Sequence, residues 1–198
     1  MNLNSLLIVL TALIIPYGVI SSVENVRANE ERYYTVEDFQ KVKKFDTHIH
    51  INTDETSFID LAKEDNFQFL DIVDDRPFGL PWTEQQKFAF LHLANFPKQM
   101  EVATTFSVNG FNDRGWAENT IRDLKQSLSK GARAVKIWKN IGMDLRDDKG
   151  KFVMLDDPRL APIFKFLVQN GIPLIGHNGE PRDCWLPLDK MTFSKSYY

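Results

Sequence analysis

Along residues 43–198 the spacing of apolar positions switches repeatedly between a period of two and a period near 3.6, and each switch marks the edge of an element. Strand-like runs fall at 42–50, 67–73, 101–108, 132–138 and 172–177. Between them lie helical stripes. Phe58, Leu61 and Ala62 follow a Thr53/Asp54 cap, while Phe88, Leu91 and Ala94 follow Thr83 and Gln86, which resemble a capping box, and stop before Pro97. Ile121, Leu124 and Leu128 end at Gly131. Leu160, Ile163, Phe164 and Leu167 open at Asp157-Pro158 and end at Gly171.

Five strands alternating with four helices predict a parallel sheet with right-handed crossovers. The longer loops follow strands, at 74–82, 109–116, 139–156 and from 178 onward, whereas returns from helix to strand are short. That asymmetry puts the functional loops at the carboxyl ends of the strands, as in a TIM-type (β/α)₈ barrel. A doubly wound open sheet is the rival, but no Gly-rich phosphate loop follows the first strand.

The N-terminus has a different texture. Residues 6–20 form a 15-residue, almost wholly apolar run, followed by a polar stretch. A membrane span needs about 20 residues, so the run suits the apolar core of a secretory signal. Val26 and Ala28 supply the small residues a signal peptidase reads, so 1–28 is expected to be a signal peptide or anchor and 29–42 an extension. No Lys or Arg precedes Arg27, a departure from the usual signal, and no lipoprotein cysteine follows. The expected location is periplasmic or secreted, with no stable membrane insertion after cleavage.

Composition narrows the class. The 198 residues are 43% hydrophobic and 26% charged, with a net charge of −3. Basic residues are scattered, so no nucleic-acid footprint exists. Cys184 is the only cysteine, which excludes an internal disulfide and a thiolate zinc cluster. Histidine is the remaining strong ligand for a borderline metal.

The chemistry concentrates where the first strand ends. In Asp46-Thr-His-Ile-His50 the alternation of a strand puts His48 and His50 on one face, roughly 7 Å apart along the chain. That is a spacing at which two imidazoles reach one divalent ion. His177 closes the fifth apolar run and is the third candidate ligand. Asp46 is placed to hydrogen-bond backbone or support a histidine, and Glu180 to orient a ligand, bind substrate or cap its loop. Trp138 and Trp185 are candidate pocket walls or packing residues, and His92, mid-helix, is a structural or surface histidine. Asp71, Asp74 and Asp75 fit either contact with substrate cations or turn initiation. The run 146–151 is a solvated loop.

His48 and His50 ending the first strand, Gly131-Ala-Arg-Ala-Val-Lys-Ile137 at the fourth and His177 at the fifth resemble the amidohydrolase superfamily. Gly176-His-Asn-Gly-Glu-Pro181 leans toward its amidohydrolase-related branch. The resemblance runs from about residue 43 to the end. It implies a distorted TIM barrel holding one or two divalent ions, most simply zinc, with His48, His50 and His177 in the metal shell. It implies hydrolysis of a C–N or C–O bond in a small-molecule substrate by metal-activated water. Lys136 falls where many relatives carry a carbamylated lysine bridging two metals; a substrate-binding or structural role is the alternative, with Lys139 a possible substitute. The family also uses a histidine on the sixth strand and an acid/base aspartate on the eighth, yet only 21 residues follow His177 and none is histidine. A full barrel needs about 250 residues. The expectation is therefore a fragment carrying about five of eight βα units, with the catalytic aspartate beyond the chain and a possible tendency to form homo-oligomers. Alternatives are a non-catalytic barrel remnant and a decarboxylase built on the same metal cage. A phosphate-binding α/β protein is disfavoured.

Overall fold

The computed structural model describes residues 34–177 and 182–192. The chain divides into a short unit, Met1–Phe39, and a main unit, Gln40–Tyr198. Within the first, a 3₁₀ turn at Val36–Asp38 is closed by Asp38, whose Oδ2 accepts the N–H of Thr35 at 3.1 Å. The proposed signal segment lies outside the described residues. Among the described residues no helix is long and apolar enough to cross a membrane.

The main unit is α/β. Five strands, β1 (Lys44–Ile49), β2 (Phe67–Ile72), β3 (Met100–Thr104), β4 (Ala134–Lys136) and β5 (Leu174–Ile175), form one curled sheet in the order β1-β2-β3-β4-β5. Every pairing is parallel. Four longer helices alternate with them: α1 (Ser57–Glu64), α2 (Trp82–Asn95), α3 (Trp116–Ser129) and α4 (Ala161–Gln169). A short kinked turn, Asn140–Met143, follows β4. Because neighbours in sequence are neighbours in the sheet, the order lacks the reversal that defines a doubly wound sheet.

The alternation of each strand separates two faces. Phe69 and Val73 from the β2 segment, Met100 and Val102 from β3, and Ala132 just before β4 pack with Ile59 and Ala62 of α1 and Ala89 of α2. Val135 and Ile137 pack with Leu124 of α3 and Ile163 and Leu167 of α4. The helices thus cover one face and take its apolar side chains out of water. The opposite face is lined by a smaller cluster of Ile72, Ala103 and Ala134.

Element types match the sequence pattern, but several ends differ for identifiable reasons. α2 begins at Trp82, not after Thr83, because the Pro81 carbonyl accepts the N–H groups of Glu84 and Gln85 at 2.9 and 3.1 Å. Gln86 closes no capping box; its amide donates to Thr104 Oγ1 and Ser127 Oγ at 2.7 and 3.0 Å, tying α2 to β3 and α3. α1 has Thr56 rather than Thr53 or Asp54 at its N-cap. Asp157 caps no helix: its carboxylate takes the Arg159 guanidinium, at 2.9 and 2.7 Å, and α4 starts later, at Ala161. The run 146–151 is a largely exposed loop as expected, tightened by a bridge between Arg146 and Phe152. Gly131 ends the α3 segment as expected, with φ +110° in the left-handed region that a side chain resists.

Candidate functional site

The carboxyl end of β1 is irregular where its histidines lie. Asp46 pairs with Phe69 and Ile49 with Asp71, so three steps along β1 face two along β2. One extra residue is accommodated there, a bulge of the kind that re-aims side chains beside functional sites. Three acceptors fix the distorted segment. Asp46 Oδ1 takes the N–H of His48 at 2.9 Å, and Asp71 Oδ1 takes that of Ile51 at 2.9 Å. The Ile72 carbonyl lies 2.6 Å from His50 Nδ1. A carbonyl can only accept, so Nδ1 carries the hydrogen and Nε2 presents its lone pair. This is the orientation that metal-bound imidazoles adopt, with the far nitrogen hydrogen-bonded to backbone.

The two imidazoles meet edge to face with ring centroids 5.2 Å apart. They share a cleft of about 220 Å³ with His177, Lys136, Asp74 and Arg76. The topology explains the gathering: each of these residues sits at or just past the carboxyl end of β1, β2, β4 or β5. The sequence-predicted histidine trio and Lys136 are therefore brought to one place. Asp46 is beside them, acting on the backbone of His48. Glu180 lies outside the described residues, and so does the side chain of Trp185.

Asp74 and Arg76 were not singled out together by sequence reasoning, yet they dominate the local field. The Asp74 side chain is 3% exposed, and Arg76 grips it through Nε–Oδ1 at 2.5 Å and Nη2–Oδ2 at 2.8 Å. Gln85 pins its backbone, donating to the Asp74 carbonyl at 3.0 Å and accepting its N–H at 3.1 Å. Asp74 Oδ2 stands 3.8 Å from His50 Nε2. Continued alternation past β2 (Leu70, Ile72, Asp74, Arg76) was the available signal; the Asp–Arg pairing two residues apart was not legible from it.

Burial pushes the pKa of His50 below its usual value; Asp74 opposes that shift and Arg76 reinforces it. The ring is consequently neutral at pH 7 and its lone pair available. Burial likewise lowers the pKa of Lys136, against the attraction of Asp74. Lys136 is 3% exposed and lines the cleft. Phe78 and Trp138 form an edge-to-face pair, centroids 6.0 Å apart, on the cleft wall.

The donor chemistry suits a divalent ion of zinc type: imidazoles, one of them, His50, with its tautomer fixed by backbone. The spacing is less complete. Among the described residues no group of three or more His, Cys, Asp or Glu side chains stands at the mutual distances of a metal centre. The histidines face one cleft without forming a closed cage, and Asp74 is committed to Arg76.

Other candidates have structural occupations. His92 is buried, with Nε2 2.8 Å from the Thr53 carbonyl, which steadies the loop after β1. Asp75 accepts the N–H of Val108 at 2.9 Å and the Asn140 amide at 3.2 Å, so it joins loops instead of facing a ligand. Asp71 is buried, and desolvation raises its pKa to about 7. No family model matches this chain, and no curated protein or solved structure gives a significant match.

Proposed function

We propose that the chain is the metal-binding part of a metal-dependent hydrolase of the amidohydrolase type, its sheet a segment of a (β/α)₈ barrel. One observation carries the reading. Two imidazoles from one bulged strand end lie edge to face at 5.2 Å, and the nearer-held one, His50, is locked by backbone with its lone pair outward. A purely structural histidine pair has no need of a fixed outward lone pair. The sequential parallel order and the position of His48, His50, Lys136 and His177 at or near strand ends support the barrel.

His48, His50 and His177 would hold the ion. When bound, such an ion supplies Lewis acidity, which polarises a carbonyl and draws a water's pKa toward neutrality. The chain's own residues supply the rest. Asp46 and Asp71 hold the ligand-bearing backbone, and Ile72 holds the His50 ring. Asp74 keeps Arg76 anchored at the cleft wall, where the guanidinium also lies 5.9 Å from the Phe78 ring. The substrate of this reading is a small molecule, met in the cleft of about 220 Å³ at the strand ends.

The test is zinc uptake by the purified protein and by His48→Ala and His50→Ala, measured by elemental analysis after dialysis. The wild type should retain close to stoichiometric zinc and each variant should lose most of it. Undiminished zinc in both variants would remove the basis of the proposal.

A further inference from the structure

The chain carries the pair Asn-Gly at 109–110, at 170–171 and at 178–179, the last outside the described residues. Asparagine before glycine is chemically labile. The backbone nitrogen of the following residue reaches the side-chain carbonyl carbon to close a five-membered ring, and glycine has no side chain to hinder that approach. In a folded chain the ring closes only where both groups are free, or where the backbone opens locally to free them. The two described pairs differ in that respect. Both are exposed, so solvent access does not separate them. Asn170, at the end of α4, is tied down: its Nδ2 donates to the Phe166 carbonyl at 2.8 Å, and the Gly171 N–H donates to the Val168 carbonyl at 3.2 Å.

Asn109 and Gly110 instead fill the two central positions of a turn after β3, closed by the Phe111 N–H donating to the Val108 carbonyl at 3.1 Å. The peptide between those central residues has no partner within the turn. Among the described residues, nothing accepts the Gly110 N–H and nothing bonds to the Asn109 side-chain amide. The turn itself favours glycine, because φ at 110 is +74°. We propose that Asn109, selected over Asn170 by this free turn, is a site of spontaneous deamidation in the folded protein. The Gly110 nitrogen bonds to Asn109 Cγ, the Cγ–Nδ2 bond breaks, and ammonia leaves with the proton from the Gly110 nitrogen, giving a succinimide. Water then opens either ring carbonyl, to aspartate or isoaspartate, and no other reagent is consumed. Both products put a carboxylate into the hollow that Asn109 shares with Asp113, one residue from Val108, whose N–H is held by Asp75. The isoaspartyl product also lengthens the backbone by a methylene. None of this rests on the hydrolase reading.

The full chain is incubated at pH 8.5, sampled over time, cut with trypsin at pH 6 to suppress conversion during digestion, and read by tandem mass spectrometry. Deamidation adds about 1 Da, and the tryptic peptides 99–114 and 166–182 report the two sites separately. In the folded protein Asn109 should convert at least about tenfold faster than Asn170, because Asn170 must first break two hydrogen bonds. The converted 99–114 peptide should resolve into two species, isoaspartyl and aspartyl. In concentrated urea, where turn and helix are both lost, the two sites should convert at similar rates. Asn109→Gln, whose longer side chain would have to close a six-membered ring, should remove the fast mass gain from the folded protein. Equal rates in the folded protein would overturn the proposal, as would a gain that maps to Asn112 within the same peptide. A rate gap that persists in urea would show that the turn does not select the site, and a fast gain surviving Asn109→Gln would place the chemistry elsewhere; either result also overturns it.

Discussion

Replacing Asp71 by asparagine should stabilise the protein at alkaline pH relative to acid, because burial raises the pKa of the Asp71 carboxyl. Asp71 is 2% exposed, its Oδ1 accepts the Ile51 N–H at 2.9 Å, and its Oδ2 is buried with no hydrogen-bond partner among the described residues. Desolvation lifts its pKa from 3.8 to about 7. A raised carboxyl pKa means that the folded state holds a proton the unfolded chain releases. Stability from this group is therefore full below about 3.8, falls as pH rises, and levels off above about 7. Each tenfold change in acidity is worth about 1.4 kcal/mol, so the complete loss is about 4 kcal/mol, of which about 3 falls between pH 5 and 8. Asparagine keeps the acceptor for Ile51 and cannot ionise. Its spare N–H groups add a penalty of about 1–3 kcal/mol, but that penalty does not vary with pH. The informative quantity is thus the change in ΔΔG with pH, not ΔΔG itself. Urea unfolding of both proteins from pH 5 to 8.5 should show the variant gaining about 3 kcal/mol on the wild type, with no further gain above pH 8. A difference constant to within about 0.5 kcal/mol across that range would mean that Asp71 ionises normally, and the buried-carboxyl reasoning would be refuted.

Other consequences are read the same way. Gly131→Ala places a Cβ 2.9 Å from Leu93 Cδ2 at φ +110°, so urea unfolding should show a loss of about 1–3 kcal/mol, whereas Gly150→Ala, with φ +77° and nothing within 4 Å, should lose less. Leu124→Ala in α3, where the side chain is fully buried between helices and sheet, should lower stability by about 3–5 kcal/mol without altering zinc binding.

How far the sequence spoke depended on the length scale of the interaction. Strand and helix types were legible because burial imposes a period, and Phe69, Val102 and Leu167 sit where that period put them. The His48–His50 pair was legible as a pair, although a regular strand predicted neither the bulge nor a 5.2 Å ring contact. What stayed hidden joins distant segments: Gln86 leaving its own helix for Thr104 and Ser127, Asp71 holding Ile51, and Gln85 bracing Asp74. Helix starts were misplaced where Pro81 and Arg159 offered better partners than the expected caps. Asp74, read as either a substrate contact or a turn initiator, is the buried partner of Arg76 beside His50; the residue types were visible, the pairing was not.

The most direct test is where an ion sits. Crystals grown with zinc, measured on both sides of the zinc absorption edge, should show one anomalous peak about 2.0–2.1 Å from an imidazole nitrogen of both His48 and His50. His177 should close the same shell. A peak bound elsewhere, or a cleft that stays empty while zinc occupies surface sites, would contradict the proposed metal centre.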